Sequence, residues 1–183
     1  MTVKEKFKNS LSELKNPYSL AALGMLLALR IILGAFANST LALFGNTVKI
    51  HINFLPIAVA AMLFGPFAAG LVGALGDVFA FFLNPIGGSY FPGFTLNGFL
   101  TGMILGLFLY KNNAKLLSII LAWLANVVLV EIPLTALWLY ITNGMDYGFF
   151  LWARLISEAI KFVPSVLIIF AVGKAVTKIP KFK

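Results

Sequence analysis

No cysteine occurs in this chain of 183 residues, so disulfide staples, thiolate metal centres and a catalytic thiol are all excluded. One histidine, His51, is too little for a metal cluster, and neither a metal nor a cofactor is expected. The chain also has no glycine-rich phosphate loop, no HExxH pair and no Gly-x-Ser-x-Gly elbow. ATP hydrolysis and recognised hydrolase chemistry are therefore not encoded, and no catalytic residue is assigned. Charged residues make up only 11% of the chain.

Hydrophobic residues, by contrast, make up 61%, and a soluble domain of that composition would have nothing polar enough to cover its surface. Apolar residues fill nearly everything from 18 to 172, which at about 20 residues per crossing leaves room for roughly six helices. A β-barrel would alternate apolar and polar positions, whereas stretches such as 116–130 are continuously apolar, and helices alone satisfy their own backbone there. The expected fold is an all-α integral membrane protein: one membrane domain of six transmembrane helices near 18–37, 53–64, 67–83, 95–110, 114–141 and 149–174. Residues 1–16 form a basic, polar N-terminal segment, and the apolar run after them lacks a small-residue cleavage site, which predicts a retained first helix.

The net charge of +8 reads as a topology signal. Lys4, Lys6, Lys8 and Lys15 precede the first helix, and Lys174, Lys178, Lys181 and Lys183 follow the last, so the positive-inside rule predicts that both termini are cytoplasmic. Nucleic acid is not an expected partner, because these lysines sit at helix ends rather than on a solvated face with interleaved aromatics. Cytoplasmic termini require an even number of crossings, which makes Gly65-Pro66 a cytoplasmic turn and places Lys111 and Lys115 on the same side. The outer connections are then 38–52, 84–94 and 142–148, and the second is rich in glycine, proline and aromatics, as a plain loop or a lid over a ligand would be.

Arg30, Asp77, Glu131, Arg154, Glu158 and Lys161 lie within the apolar segments, at roughly 2.5–3.5 kcal/mol each at a helix centre unless paired or wetted. On the expected topology they gather at one depth. Arg154, Glu158 and Lys161 share one helix face, and Pro133 beside Glu131 is placed to bend the fifth helix around a cavity. These groups neutralise one another, for example Arg154 with Glu158, or they line a polar pocket in the outer half. Tyr90, Phe91, Phe94 and the tryptophans Trp123, Trp138 and Trp152 are then available to stack on a flat ligand, although each tryptophan equally suits an interfacial belt. Ala21, Gly24 and Ala28 form a small-residue stripe on the first helix that permits close helix approach, to another helix of this chain or to a partner.

Six helices in under 200 residues, the run Ala28-Leu29-Arg30-Ile-Ile-Leu-Gly34, Phe54-Leu-Pro56 followed by Phe64-Gly-Pro66, then Gly76-Asp77 and Gly88-Ser-Tyr-Phe-Pro-Gly-Phe-Thr95, resemble the substrate-binding S components of energy-coupling factor (ECF) vitamin transporters. The likeness spans nearly the whole chain. Within the family, Tyr90-Phe-Pro-Gly-Phe-Thr95 and Gly76-Asp77 look most like folate-specific members. The resemblance implies a bacterial plasma-membrane protein that is not an enzyme. It would bind a vitamin from outside, topple in the membrane, and dock through its first helices, at Ala21, Gly24 and Ala28, on an EcfT-like coupling protein with two ATPases. Candidate ligand contacts are Asp77, Arg30, Tyr90, Phe91, Phe94, Thr95, Asn97, Glu131, Arg154 and Glu158. A pterin edge offers a ring N–H beside an exocyclic amine, a donor pair for which Asp77 is the first choice and Glu131 or Glu158 the second. Riboflavin and thiamine precursors offer similar edges. A membrane enzyme acting on lipid is the rival class, but the acids have no histidine or metal-ligand pattern to work with.

Lacking any phosphate loop, the purified chain in sealed vesicles is expected to release no phosphate from ATP and to accumulate no ligand on its own. Concentrative uptake by the lone protein in a vesicle assay would contradict this.

Overall fold

The computed structural model describes residues 1–35, 42–43, 48–49, 52–83, 90–112, 114–144 and 146–178; His51 and most of the first outer connection lie outside them. The elements in order are α1 (Val3–Glu13), α2 (Pro17–Ala35), β1 (Ala42–Leu43), β2 (Val48–Lys49), α3 (Leu55–Phe64), α4 (Pro66–Leu83), α5 (Pro92–Leu109), α6 (Leu116–Asn126), α7 (Pro133–Asn143) and α8 (Tyr147–Val176). Among the described residues the regular structure is helical apart from one short antiparallel pairing, in which Ala42 pairs with Lys49 and Leu43 with Val48. Five apolar segments of the described residues are long enough to cross a membrane: α2, α4, α5, the run Leu116–Asn143, and α8. With ten residues, α3 is only about 15 Å long.

Most of the basic N-terminal segment is a helix, Val3–Glu13. Thr2 and Glu5 close a reciprocal capping box at its start, a signature the sequence carries openly as Thr-x-x-Glu. Ser10, fully buried, accepts the Ala68 N–H at 3.0 Å, so α1 caps the start of α4, where Gly65 has no side chain to do so. Gly65 turns with φ +86°, which glycine tolerates and other residues rarely do. The Lys6 ammonium donates to the Leu107 carbonyl.

At Gly65 the chain folds back. The Lys111 N–H donates to Met62 O at 3.5 Å at one end of α3, while Phe54 and Ile57 at its other end line a cavity together with Asp77 of α4. The α3–α4 pair is thus a hairpin rather than one kinked helix. The turn, α1, the α5–α6 connection and the end of α8, where Gly173 abuts Ala114, all gather at one lysine-rich end.

Two helix boundaries differ from expectation for reasons of proline chemistry. α5 starts at Pro92, in the first turn where a missing N–H costs nothing, so the last three residues of the expected lid, 92–94, are helix, and 84–89 lie outside the described residues. The expected fifth helix is broken into α6 and α7 by a π turn over Val127–Glu131. Pro133 offers no N–H and its ring crowds the carbonyl four residues earlier; the chain widens by one residue, and the Ile132 N–H reaches back to Val127 O at 3.0 Å.

Close helix approach occurs at α4 against α5. A Cβ on Gly73 would lie 2.1 Å from Gly98 O, one on Gly102 2.3 Å from Ala69 O, and one on Gly106 2.3 Å from Pro66 Cα. Gly98, Gly102 and Gly106 are spaced four apart along α5, so backbones meet and van der Waals packing replaces the hydrophobic drive that lipid does not supply. By contrast, a Cβ on Gly24 would meet nothing within 4 Å, and Ala21, Gly24 and Ala28 are exposed on α2. The internal contact weighed for that stripe is not made by Gly24 among the described residues. Around the glycine seam, Ala60, Ala61, Phe64, Ala69, Leu105, Leu109 and Ile169 form a dry core in the half nearer the lysine-rich end.

Gly102→Ala is expected to cost about 1–3 kcal/mol, because backbone rather than a pliable side chain must move. Gly24→Ala should leave the melting temperature unchanged or slightly raised. Thermal unfolding of both variants in one detergent checks the contrast, and equal melting points would show that the seam relaxes freely.

Candidate functional site

In the half away from the lysine-rich end, the helices part around two adjoining lobes that share Asn53, Phe54, Glu131 and Arg154 in their walls. The larger, about 240 Å³, is completed by Arg30, Ile57, Asp77, Phe94, Asn97, Gly98, Thr101 and Thr135. The smaller, about 180 Å³, is completed by Trp123, Glu158, Lys161 and Ser165. Small-molecule sites typically span about 300–1,000 Å³, so a ligand of several rings would need both lobes.

All six intramembrane charges line this cavity, three cationic and three anionic. The expected pairing of Arg154 with Glu158 is not found: Lys161, three residues on, takes the Glu158 carboxylate instead, and it forms the ion pair present among the described residues. Arg154 and Glu131 form no ion pair there, and neither do Arg30 and Asp77. The widened π turn carries Glu131 into the wall of both lobes.

Arg30 is buried, at 7% exposure, and its position explains two of the glycines in the sequence. A Cβ on Gly76 would lie 2.3 Å from Arg30 Cγ, and one on Gly34 would lie 2.7 Å from its Nη1. The arginine stem therefore lies in a groove that exists because Gly76 and Gly34 have no side chains. Arg30 Nε has no hydrogen-bond partner among the described residues and is shielded from solvent, which leaves a charged donor unsatisfied beside the cavity.

Asp77 is held by a short relay. Thr95 Oγ1 donates to Asp77 Oδ2 at 2.8 Å, and Tyr90 Oη lies 2.7 Å from Thr95 Oγ1. The threonine has one hydroxyl proton and spends it on the carboxylate, so Tyr90 is the donor to Thr95. Tyr90 also stacks on Phe82 at 6.1 Å between ring centroids, which ties the residues before α5 to α4. The carboxylate retains free acceptor capacity toward the larger lobe.

Asn97, 7% exposed, has both ends of its amide engaged: it donates to Thr135 Oγ1 and accepts from the Trp138 indole N–H, each at 2.9 Å. It fastens α5 to α7 while lining the lobe. Phe91 packs on Trp138 at 5.6 Å and on Phe94 at 6.0 Å, and Gly93 leaves space for both the Phe91 and Trp138 rings. Among these aromatics Phe94 lines the cavity, whereas Tyr90 and Phe91 stand behind it. The tryptophans separate: Trp152 is 65% exposed, as an interfacial residue is; Trp123 is 5% exposed and packs tilted against Phe54 at 4.8 Å, its indole N–H without a partner among the described residues; Trp138 is hydrogen-bonded to Asn97. Asn53, Thr101, Thr135 and Ser165 were not among the expected contacts, because a single small polar residue in an apolar helix gives no directional signal in a sequence.

Residues 18–181 match the protein family described as "ECF transporter, substrate-specific component". The folate transporter FolT of Clostridium novyi (strain NT) is 36% identical over 132 residues, covering 72% of this chain and 76% of that protein. A crystal structure of FolT bound with folic acid superposes with a TM-score of 0.76 at 37% identity, covering 87% of this chain and 95% of the other.

Proposed function

The chain belongs to the substrate-specific components of ECF transporters, and from that premise we propose that it captures folate in the two-lobed cavity and delivers it by docking on an ATP-driven coupling module. The observation that carries this reading is an intramembrane cavity lined by unpaired charge, in a chain whose fold matches a relative bound to folic acid. It is a transport subunit and not an enzyme.

The site chemistry fits the ligand class. Asp77, oriented by Thr95, accepts the paired N–H donors of the pterin edge in the larger lobe, with Phe94 against the ring face. Arg30 and Arg154 supply donors for the pterin carbonyl or the glutamate carboxylates, and Glu131 and Glu158 are the alternative acceptors. Tyr90, Phe91 and Asn97 hold these groups in position. With the lysine-rich end cytoplasmic, as the positive-inside rule favours, the cavity lies in the outer half, and α3 completes six crossings. Ala21, Gly24 and Ala28, exposed on α2, present the small-residue surface on which a coupling helix packs.

Asp77→Asn replaces one acceptor oxygen by a donor that opposes a donor on the ligand. Folate affinity is expected to fall by about 2 kcal/mol or more, roughly thirtyfold, with the empty protein still folded. Thr95→Val, which only frees the carboxylate to rotate, is expected to cost about fivefold. Titration calorimetry beside melting curves of the apo proteins checks both, and unchanged affinity in Asp77→Asn would remove Asp77 from the site.

Gly24→Leu and Ala28→Leu should bind folate normally and fail to transport it in vesicles carrying the coupling module. Loss of binding in either variant would place the stripe in the internal packing instead.

A further inference from the structure

The helix α1 is clamped to the bundle on one side only. Lys6 and Ser10 make the contacts to Leu107 and Ala68, and Glu13 accepts the Ser19 hydroxyl. Next to this clamped side runs an apolar stripe, Val3, Phe7, Leu11 and Leu14, at helical spacing. Leu14 packs against the core, but Val3 is 60% and Leu11 47% exposed. Along the stripe's outer edge stand Lys4, Lys8 and Lys15, all exposed and none in an ion pair among the described residues. The acids of α1 are occupied elsewhere, Glu5 in the capping box and Glu13 with Ser19. Exposed Lys111, Lys115, Lys174 and Lys178 continue the basic rim at the same end.

An apolar stripe edged by lysines, on a helix fixed at the end of a membrane bundle, has the layout of a helix lying in the lipid–water interface. Its charge is complementary to anionic headgroups, which basic residues beside a membrane attract. We propose that α1 lies in the interface and binds anionic phospholipid, Leu11 and Val3 entering the acyl boundary while Lys4, Lys8 and Lys15 meet headgroup phosphates. The bundle end, with the α4 cap that Ser10 provides, is thereby anchored to the lipid surface.

Because the chain has no cysteine, a single introduced one reports a single position. A fluorophore on Leu11→Cys, with Ser12→Cys as the control pointing away from the stripe, is followed in liposomes whose phosphatidylcholine or phosphatidylglycerol carries brominated chains. The Leu11→Cys label should be quenched by brominated lipid and the Ser12→Cys label by aqueous iodide. Brominated phosphatidylglycerol should appear enriched about fivefold or more around position 11, an enrichment that weakens at high salt. Lys4→Gln, Lys8→Gln and Lys15→Gln together should abolish that preference while leaving folate binding intact, since these side chains face away from the cavity. Should the triple variant not fold, the salt dependence in the protein with its lysines decides alone. Equal quenching by the two brominated lipids overturns anionic recognition. Iodide access at position 11 equal to that at position 12 overturns the interfacial placement and assigns the stripe to water or to a protein partner.

Discussion

A charged side chain cannot be left facing hydrocarbon, and the arrangement of this bundle follows from that constraint. Six such residues are distributed over α2, α4, the π turn and α8, and every one of them lines the same cavity. The cavity is formally neutral, three cations against three anions, yet Glu158 with Lys161 is the ion pair closed among the described residues. Full internal neutralisation would give a well-packed and unreceptive interior. Leaving Arg154 and Glu131 without an ion pair, and the Arg30 Nε without a hydrogen-bond partner, among the described residues keeps the site polar and able to gain by binding a ligand with matching groups.

The departures from regular helix serve this one site. Pro133 forces the π turn that brings Glu131 into both lobes, and Gly76 and Gly34 remove the side chains that would displace Arg30. At the other end the chain does the opposite. Small residues let α4 and α5 touch backbone to backbone, alanines of α3 and α4 are buried in the core, and Ser10 satisfies an amide that the Gly65 turn would orphan. A closely packed, apolar half therefore frames the polar half that holds the cavity.

Much of this was legible beforehand. Intramembrane charges are so rare in apolar segments that Arg30, Asp77, Glu131, Arg154 and Glu158 could be picked out individually, and lysine placement marked which ends lie together. The capping box Thr2-x-x-Glu5 and the spacing Gly98, Gly102, Gly106 are equally readable in the sequence. Pairing was harder: Lys161 at i+3 and Arg154 at i−4 compete for Glu158 on one helix face, and sequence spacing does not choose between them.

By itself the sequence determined the solvent, since a chain 61% hydrophobic has no stable alternative to lipid, and it determined that the few charges must be sheltered together. It also marked the breaks at Gly65-Pro66 and at Pro133, where glycine and proline act on their own backbone. Only the tertiary structure decided which charge stays unpaired, that Thr95 rather than an arginine holds Asp77, that Asn97 is spent on Trp138 and Thr135, and that Gly24 faces outward while Gly102 faces α4. Those outcomes depend on how helices distant in sequence are rotated about their axes, and rotation is set by packing among all of them at once.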